Sequence, residues 1–183
     1  MKKISELRKF YQLKSVYREA PVGDRKESSA EHTWSCLILA DYFMSKIKLD
    51  RLKVYELLLY HDVVEIEAGD IPIHHEAERN NKKEAERKAM EKLKEELPQE
   101  LRPKLSQLFK EFEESSSTEA RFARAIDRID AVIHELDYKK HWKGWSEAQL
   151  RKYNEEAIKD FPEIKEFFEE VVKFVNKEGY FDQ

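Results

Sequence analysis

The sequence predicts an all-α fold in a single domain, and three observations support that prediction. Four glycines and five prolines among 183 residues leave few positions for the turns of a β-rich fold. Charged residues make up 39% of the chain and are interleaved with apolar residues at helical spacing. A chain of this length forms one domain, residues 1–183, with a core large enough to need no disulfide.

The N-terminal region is predicted to contain a short helix followed by a loop. Residues 4–13 have the apolar spacing of an amphipathic helix. Pro21 and Gly23 come next, and these residue types predict a loop rather than regular structure.

The next two helices carry the first candidate functional residues. Ser28 is the expected N-cap of a helix that runs to about residue 47, and Glu31 completes a capping box. His32 lies in the first turn of that helix, on the same face as Cys36. The following helix is expected over residues 50–63.

The rest of the chain continues the helical pattern after one loop. Residues 65–75 are predicted to be a loop because they contain Gly69, Asp70 and Pro72. The remaining predicted helices cover residues 76–96, a helix that begins near Pro103, and residues 119–138, 146–159 and 162–176.

Charge and cysteine content narrow the classes of partner and compartment. The net charge of −4 gives no electrostatic reason to expect binding to a nucleic acid polymer. The single cysteine, Cys36, excludes an intramolecular disulfide and fits a reducing cytoplasm. No apolar run approaches the ~20 residues needed to span a bilayer, and the N-terminus lacks a signal-peptide core.

His61 and Asp62 stand side by side at the end of a mostly apolar stretch, residues 52–64. Burying two ionisable groups there is costly unless something pairs with them. A divalent cation is the simplest partner, because imidazole and carboxylate together suit a first-row metal ion. The alternative is a helix end at which a charged histidine interacts with the C-terminal dipole.

Four candidate metal ligands lie on three predicted helices: His32, His61, Asp62 and Asp127. Two imidazoles and two carboxylates balance a divalent cation and leave positions open for water or phosphate oxygen. Adjacent helical residues diverge by about 100°, so the His61–Asp62 pair can share an ion only near a helix end. Metal-assisted hydrolysis of a phosphoester is therefore favoured over peptide hydrolysis, because the sequence lacks the His-Glu-x-x-His pattern of zinc proteases.

Two aspartates share one face of the helix predicted at residues 119–138. Asp127 borders the apolar stripe of that helix, and its alternative role is an ion pair with Arg124 or Arg128. Asp130 follows three residues later, and for Asp130 the ion pair is the expected role.

These residues resemble the HD-domain metal-dependent phosphohydrolases, and more narrowly their 5'-deoxynucleotidase branch. The resemblance extends over nearly all of residues 13–138. It rests on Arg18, on Glu27-Ser28-Ser29-Ala30-Glu31-His32, on His61-Asp62-Val63-Val64-Glu65, on Gly69-Asp70-Ile71-Pro72, and on Glu119-Ala120-Arg121-Phe122 leading to Asp127.

The resemblance implies an HD-domain helical bundle with one divalent cation on His32, His61, Asp62 and Asp127. Co²⁺ or Mn²⁺ is the expected ion, with Zn²⁺, Ni²⁺ and Fe²⁺ as further options. The implied activity is hydrolysis of (deoxy)ribonucleoside 5'-monophosphates to nucleoside and phosphate. A cytoplasmic homodimer without membrane partners is expected.

On the matching positions, Glu65 and Asp70 would be the catalytic carboxylates and Arg18 a phosphate contact. The planar guanidinium fork suits phosphate, and backbone amides near Ser28 and Ser29 are candidate anion donors at a helix start. The alternatives are a solvated loop carboxylate for Glu65 and an ordinary surface arginine for Arg18.

The sequence departs from the family pattern at two places. Glu19 stands where bacterial members carry an aromatic residue, and His74 and His75 follow Gly-Asp-Ile-Pro where many relatives continue with lysine. Three roles are open to these histidines: contact with phosphate, binding of a second ion, or plain solvent exposure, which is the default.

Two other functions remain open at this point. One is an HD-fold hydrolase that acts on another phosphoester, such as a cyclic or triphosphorylated nucleotide. The other is a catalytically silent module that binds a nucleotide and a partner protein. The complete set of four ligands, together with Glu65 and Asp70, argues against the silent module.

Overall fold

A computed structural model of the chain describes residues 2–79 and 81–182. Within these residues the chain forms one helical domain with a two-stranded sheet, so the predicted all-α fold class is confirmed. None of the described helices has the length and apolar character that crossing a membrane requires. The elements are α1 (Lys2–Phe10), β1 (Tyr17–Val22), β2 (Arg25–Ser28), α2 (Ser29–Phe43), α3 (Arg51–Tyr60), α4 (Glu65–Ala68), α5 (Glu76–Arg79), α6 (Lys82–Glu96), α7 (Arg102–Glu114), α8 (Thr118–Glu135), α9 (Glu147–Ile158) and α10 (Pro162–Lys177).

Helix α8 is the centre of the bundle. It packs against α2, α3, α7 and α9, and α9 in turn packs against α10. Phe122, Ile126 and Ile129 lie on one face of α8 and are fully buried, as the periodicity predicted. Burying a side chain of this size contributes roughly 1.5–3 kcal/mol, so the position of α8 against α2 and α3 is strongly determined.

The start of α2 is fixed by the predicted capping box. Ser28 is extended, with φ −89° and ψ 152°, and its Oγ accepts a hydrogen bond from the Glu31 amide at 3.3 Å. The Glu31 carboxylate accepts in return from the Ser28 amide at 2.9 Å. The capping role of Glu31 is therefore confirmed. His32 follows immediately, so this cap also fixes the position from which the His32 side chain projects from α2.

The prediction of a loop around Pro21 and Gly23 is wrong, because this segment forms a β-hairpin. Strands β1 and β2 are antiparallel, with Pro21 paired to Lys26 and Val22 to Arg25. Gly23 has φ +57° at the turn, a conformation that glycine adopts at low cost. A proline is tolerated because a two-stranded ribbon consists of edge strands, where a missing N–H is acceptable.

The segment after α3 also differs from the prediction. Helix α3 ends at Tyr60, and the predicted loop at residues 65–75 begins with the short helix α4. Gly69, with φ +75°, ends α4. The helix predicted at residues 76–96 is divided into α5 and α6, and residue 80 between them lies outside the described residues.

Candidate metal centre

The four predicted metal ligands converge at one place in the bundle. His32 projects from α2, the pair His61 and Asp62 follows the end of α3, and Asp127 projects from α8. His32 Nε2 lies 3.0 Å from Asp127 Oδ1 and 4.0 Å from Asp62 Oδ2. His61 Nε2 lies 3.2 Å from Asp62 Oδ1. Residues from three separate helices thus surround one small volume.

Hydrogen bonds orient both imidazole rings so that Nε2 faces this volume. His61 Nδ1 donates to the Leu58 carbonyl at 2.6 Å. His32 Nδ1 lies 2.8 Å from Asp130 Oδ2 and donates to it. A neutral ring with its proton on Nδ1 keeps a lone pair on Nε2, which is the atom that each ring presents to the site.

The residues fit a divalent cation, because two buried atoms among them have no hydrogen-bond partner. His61 Nε2 and Asp62 Oδ2 are buried and have no hydrogen-bond partner among the described residues. Leaving such atoms unpaired costs free energy. Two imidazole nitrogens and two carboxylates form a donor set that suits a first-row divalent ion, so a cation at this position would pair both atoms.

The electrostatics of the site favour positive charge between His32 and Asp127. Burial acts to raise the pKa of Asp127, but the hydrogen bond with His32 and the charge of Arg128 hold it well below its usual range. Burial and Arg18 act to lower the pKa of His32, yet its contacts with Asp127 and Asp130 raise it well above its usual value. A proton and a metal ion therefore compete for the same position.

The expectation of an arginine ion pair for Asp130 is wrong. The Asp130 side chain is buried and faces α2, where it accepts from His32 Nδ1 and lies 2.8 Å from Ser35 Oγ. A carboxylate behind a ligating histidine fixes the ring orientation and raises its basicity. The spacing of Asp130 from Asp127 was the signal available in the sequence, whereas nothing in the sequence indicated Ser35.

Cys36 is a further neighbour that the sequence analysis did not count among the ligands. Its Sγ lies 3.6 Å from His32 Nε2, and the candidate ligand atoms of His32, Cys36 and His61 all fall within 4.8 Å of one another. Burial raises the pKa of the thiol to about 12. A protonated sulfur is a weak ligand, so Cys36 is best described as a small buried neighbour of the site.

Glu65 and Asp70 lie beside the four ligands, on either side of Gly69. Glu65 is buried and accepts a hydrogen bond from Ser29 Oγ at 2.8 Å, so the alternative of a solvated loop carboxylate is wrong. Burial and the nearby Asp62 and Asp70 raise the pKa of Glu65 well above its usual value. Burial also raises the pKa of Asp70, against the opposing effect of Arg18.

Arg18 reaches the same group of carboxylates from β1. Its Nη1 atom lies 3.8 Å from Asp62 Oδ2 and 4.0 Å from Asp70 Oδ1, and its Nε lies 3.2 Å from Glu27 Oε2. The alternative that Arg18 is an ordinary surface arginine is therefore wrong. Glu27, whose burial was not foreseen, also lies 3.4 Å from His134 Nδ1, so one buried carboxylate contacts both Arg18 and His134.

The two serines take part in the fold around the site rather than offering free amides. The Ser28 amide donates to Glu31, and the Ser29 amide donates to the Val16 carbonyl at 2.9 Å. These two amides are engaged within the protein, and binding of an anion by amides near Ser28 and Ser29 stays a prediction. The contribution of Ser29 is the hydroxyl that binds Glu65.

A cavity of about 280 Å³ opens beside Arg18 and Asp70. Its wall also includes the aromatic side chains of Trp142, Trp145 and Tyr153. A volume near the lower end of the ~300–1,000 Å³ typical of ligand pockets suits a small molecule. The cavity is therefore lined by both charged and aromatic side chains. Other lining residues are Glu19, Glu27, Pro72, Ile73, His74, Arg128, Glu135, His141, Leu150 and Asn154.

Comparison with known proteins agrees with this architecture, and the chain belongs to the HD domain family. A model of the HD domain matches residues 10–167. A crystal structure named "Predicted metal-dependent phosphohydrolase", from Magnetospirillum magnetotacticum MS-1, has a TM-score of 0.86 and 29% identity, over 98% of this chain and 93% of that one. An HD-domain phosphohydrolase from Listeria innocua, at 22% identity and a TM-score of 0.68 over 96% and 90% of the two chains, shares the fold.

Among characterised relatives, this chain is similar to 5'-deoxynucleotidases. It is 30% identical to 5'-deoxynucleotidase HDDC2 of Homo sapiens over 138 residues, which cover 74% of this chain and 64% of the human protein. It is 26% identical to 5'-deoxynucleotidase hdd1 of Schizosaccharomyces pombe, over 66% of this chain and 63% of that protein. The match thus spans somewhat less than two thirds of each relative's length.

Proposed function

We propose that this protein is a metal-dependent phosphomonoesterase that hydrolyses (deoxy)ribonucleoside 5'-monophosphates to nucleoside and phosphate. The observation that carries the proposal is the pair of buried atoms without hydrogen-bond partners, His61 Nε2 and Asp62 Oδ2, close to Arg18 of the cavity wall. The similarity to 5'-deoxynucleotidases supports this substrate class over other phosphoesters.

His32, His61, Asp62 and Asp127 would hold the divalent cation, with Co²⁺ or Mn²⁺ as the proposed ion. When bound, such an ion polarises a phosphoryl oxygen and lowers the pKa of a bound water. Asp130 keeps the His32 ring in the orientation that presents Nε2 to the site.

Arg18 is the proposed phosphate contact. Its guanidinium is surrounded by Asp62 and Asp70, which raise its pKa against the lowering effect of burial. It therefore stays charged, and a guanidinium fork binds two phosphate oxygens at once. Glu27 contacts the Nε side of the fork, and the Nη1 side faces the carboxylates of the site.

Glu65 and Asp70 are the proposed proton-transfer groups. Hydrolysis forms a bond from the attacking water oxygen to phosphorus and breaks the bond from phosphorus to the 5'-oxygen, which must gain a proton. A carboxyl whose pKa is raised can hold a proton closer to neutral pH, and the pKa of both groups is raised by burial. The hydroxyl of Ser29 fixes the Glu65 carboxylate.

The aromatic part of the cavity wall is the proposed nucleoside compartment. Trp142, Trp145 and Tyr153 line the same cavity as Arg18 and Asp70. Aromatic rings stack on nucleobases without strong sequence preference. A nucleotide whose phosphate contacts Arg18 would therefore have its base near the aromatic wall.

The proposal includes a cytoplasmic homodimer with residues 1–183 as one HD-domain unit. Trp34, Ile38 and Tyr42 form an apolar stripe on the outer face of α2, and they are 66%, 57% and 51% exposed. Exposed stripes of this kind mark interaction surfaces, and a stripe on one helix can pair with itself across a two-fold axis. The net charge of −4 favours neither a nucleic acid polymer nor an anionic membrane as partner.

Phosphate release from a nucleotide panel tests the proposed activity. The metal-stripped protein is assayed with Co²⁺, with Mn²⁺ and without metal, on deoxyribo- and ribonucleoside monophosphates, cyclic nucleotides and triphosphates. We expect metal-dependent release of inorganic phosphate from 5'-monophosphates, and none from the His61→Ala variant. Release of triphosphate or pyrophosphate would instead identify another phosphoester hydrolase, and no turnover with any metal would indicate a silent nucleotide-binding module.

A further inference from the structure

Glu19, His74 and His75 form a second group of metal-ligating side chains, outside the four ligands of the main site. Glu19 projects from β1, and the two histidines lie in the loop between α4 and α5. Their candidate ligand atoms all fall within 4.8 Å of one another. We propose that Glu19, His74 and His75 bind a Zn²⁺ ion at the rim of the cavity.

The distances fit ligands around one ion better than they fit hydrogen bonds. Glu19 Oε2 lies 3.5 Å from His74 Nε2 and 3.5 Å from His75 Nε2. Hydrogen bonds between such atoms are usually about 2.7–3.2 Å long. Zinc-to-nitrogen bonds of about 2.0–2.1 Å in tetrahedral geometry separate neighbouring ligand atoms by about 3.3 Å, which is close to the observed spacing.

The surroundings of the two rings orient them toward Glu19. His75 Nδ1 lies 3.4 Å from Glu78 Oε1, so the far side of this ring faces a carboxylate, as in many histidine–metal sites. The His74 ring packs edge-on against Trp145 at a centroid distance of 5.8 Å. Each ring is thus held by a separate neighbour, Glu78 or Trp145. The Nε2 atoms of both rings face the same Glu19 oxygen.

The ligand types select the kind of ion. Two imidazoles and one carboxylate are a common protein ligand set for zinc, and the fourth position then holds water or another small ligand. All three side chains are partly exposed to solvent, so an ion can enter without opening the fold. Soft thiolate ligands are absent from this group, which argues against a site for Cu⁺.

Such an ion would join the two segments that carry Arg18 and Asp70 into the cavity wall. Glu19 adjoins Arg18 on β1, while His74 and His75 follow Asp70 in the loop. Glu19 and His74 both line the cavity. A bound Zn²⁺ would therefore fix the distance between the strand and the loop at the cavity rim, independently of any reaction.

Zinc stoichiometry in a background without the main site tests the inference. The His61→Ala protein is stripped of metal, equilibrated with Zn²⁺, passed through a desalting column and analysed for zinc per chain. We expect the double variant His61→Ala/His75→Ala to hold one equivalent less than His61→Ala alone. Loading with Co²⁺ should give a visible absorption band typical of low-coordinate Co²⁺, and this band should be lost with His75→Ala.

His141→Ala is the matched control, because His141 is an exposed histidine of the same cavity that lies outside the group. It should leave the zinc content of the His61→Ala background unchanged. Glu19→Gln, which preserves side-chain shape, should weaken zinc retention without changing the far-ultraviolet circular dichroism. Equal zinc content in the His75→Ala and His141→Ala proteins would overturn the inference, whatever the outcome of the phosphate-release assay.

Discussion

At the scale of single residues, Asp130 shows how the centre depends on a group that does not itself face the cation position. It accepts from His32 Nδ1 at 2.8 Å and so determines which nitrogen remains free. Removing such a partner typically weakens metal binding about 10–100-fold. We expect that loss for Asp130→Ala in a Co²⁺ titration, and a much smaller loss for Asp130→Asn, whose amide oxygen still accepts.

Asp137→Ala is the control for this prediction, because Asp137 is an exposed aspartate just beyond the same helix. It should bind Co²⁺ as the parent protein does. Equal Co²⁺ affinity in the Asp130→Ala and Asp137→Ala proteins would show that Asp130 packs against His32 without affecting metal binding by that ring.

Glu65 carries a second prediction at this scale, about stability and pH. Its pKa in the folded protein is raised well above 4.5, chiefly by burial, so the folded state binds this proton more tightly than the unfolded state. The contribution of Glu65 to the free energy of unfolding must then fall as pH rises above about 4.5. In metal-free protein, Glu65→Gln should therefore raise the thermal midpoint at pH 8, and the gain should shrink toward pH 4.

The same substitution should reduce turnover about 10²-fold or more, as expected when a general acid or base is lost. Metal content should not change. A Glu65→Gln protein that is less stable at pH 8, or that loses its metal, would make Glu65 a structural group or a ligand. Thermal scans across pH, with elemental analysis of the loaded protein, separate these results.

At the scale of elements, the N-terminal cap of α2 connects local stability to the site. Ser28 caps the helix that presents His32, and losing a serine cap costs about 1 kcal/mol. Ser28→Ala should lower the free energy of unfolding by about that amount and also weaken Co²⁺ binding, because His32 lies in the first turn of α2.

Ser146→Ala supplies the comparison, since Ser146 caps α9 in the same way, with its Oγ accepting from the Gln149 amide at 3.3 Å. Denaturant unfolding should give a similar loss for both variants, whereas Co²⁺ affinity should change only for Ser28→Ala. A matching change in affinity for both variants would mean that the effect is global rather than local to α2.

The elements also show which parts of this fold can be predicted from sequence. The cap at Ser28 and the stripe of α8 are local signals, and both were predicted correctly. The hairpin of β1 and β2 was missed because Pro21 and Gly23 indicate breaks locally, while strand pairing depends on a partner segment. The burial of Asp130 was missed for the same reason, since its direction depends on how α8 packs against α2.

At the scale of the whole molecule, the composition and the helical periodicity were sufficient for the fold class, whereas the grouping of His32, His61, Asp62 and Asp127 came from the resemblance to HD-domain phosphohydrolases. The sequence did not reveal which residues contact and orient these four side chains. Ser35 and the buried Glu27 act through contacts between distant segments. Glu27 was singled out only as part of the segment that carries the resemblance, and nothing in the sequence indicated its burial or distinguished Ser35 from a surface residue.

The quaternary structure gives a prediction at this scale. If the stripe on α2 forms the dimer interface, Trp34→Glu should convert the dimer to a monomer, because charge cannot be buried there without a partner. Phe174→Glu, at a partly exposed aromatic of α10, should leave the dimer intact. Sedimentation velocity of the three proteins checks this, and a monomeric parent protein would refute the proposed homodimer.

The central claim is that four side chains from three helices hold one divalent cation. Anomalous diffraction from crystals grown with Co²⁺ measures this directly, at the cobalt absorption edge. The account predicts a cobalt peak about 2.0–2.2 Å from His32 Nε2, His61 Nε2 and an oxygen of each of Asp62 and Asp127, within the range expected for nitrogen and oxygen ligands. A fully loaded crystal with no peak at this position, or with either imidazole turned away from it, would contradict the claim.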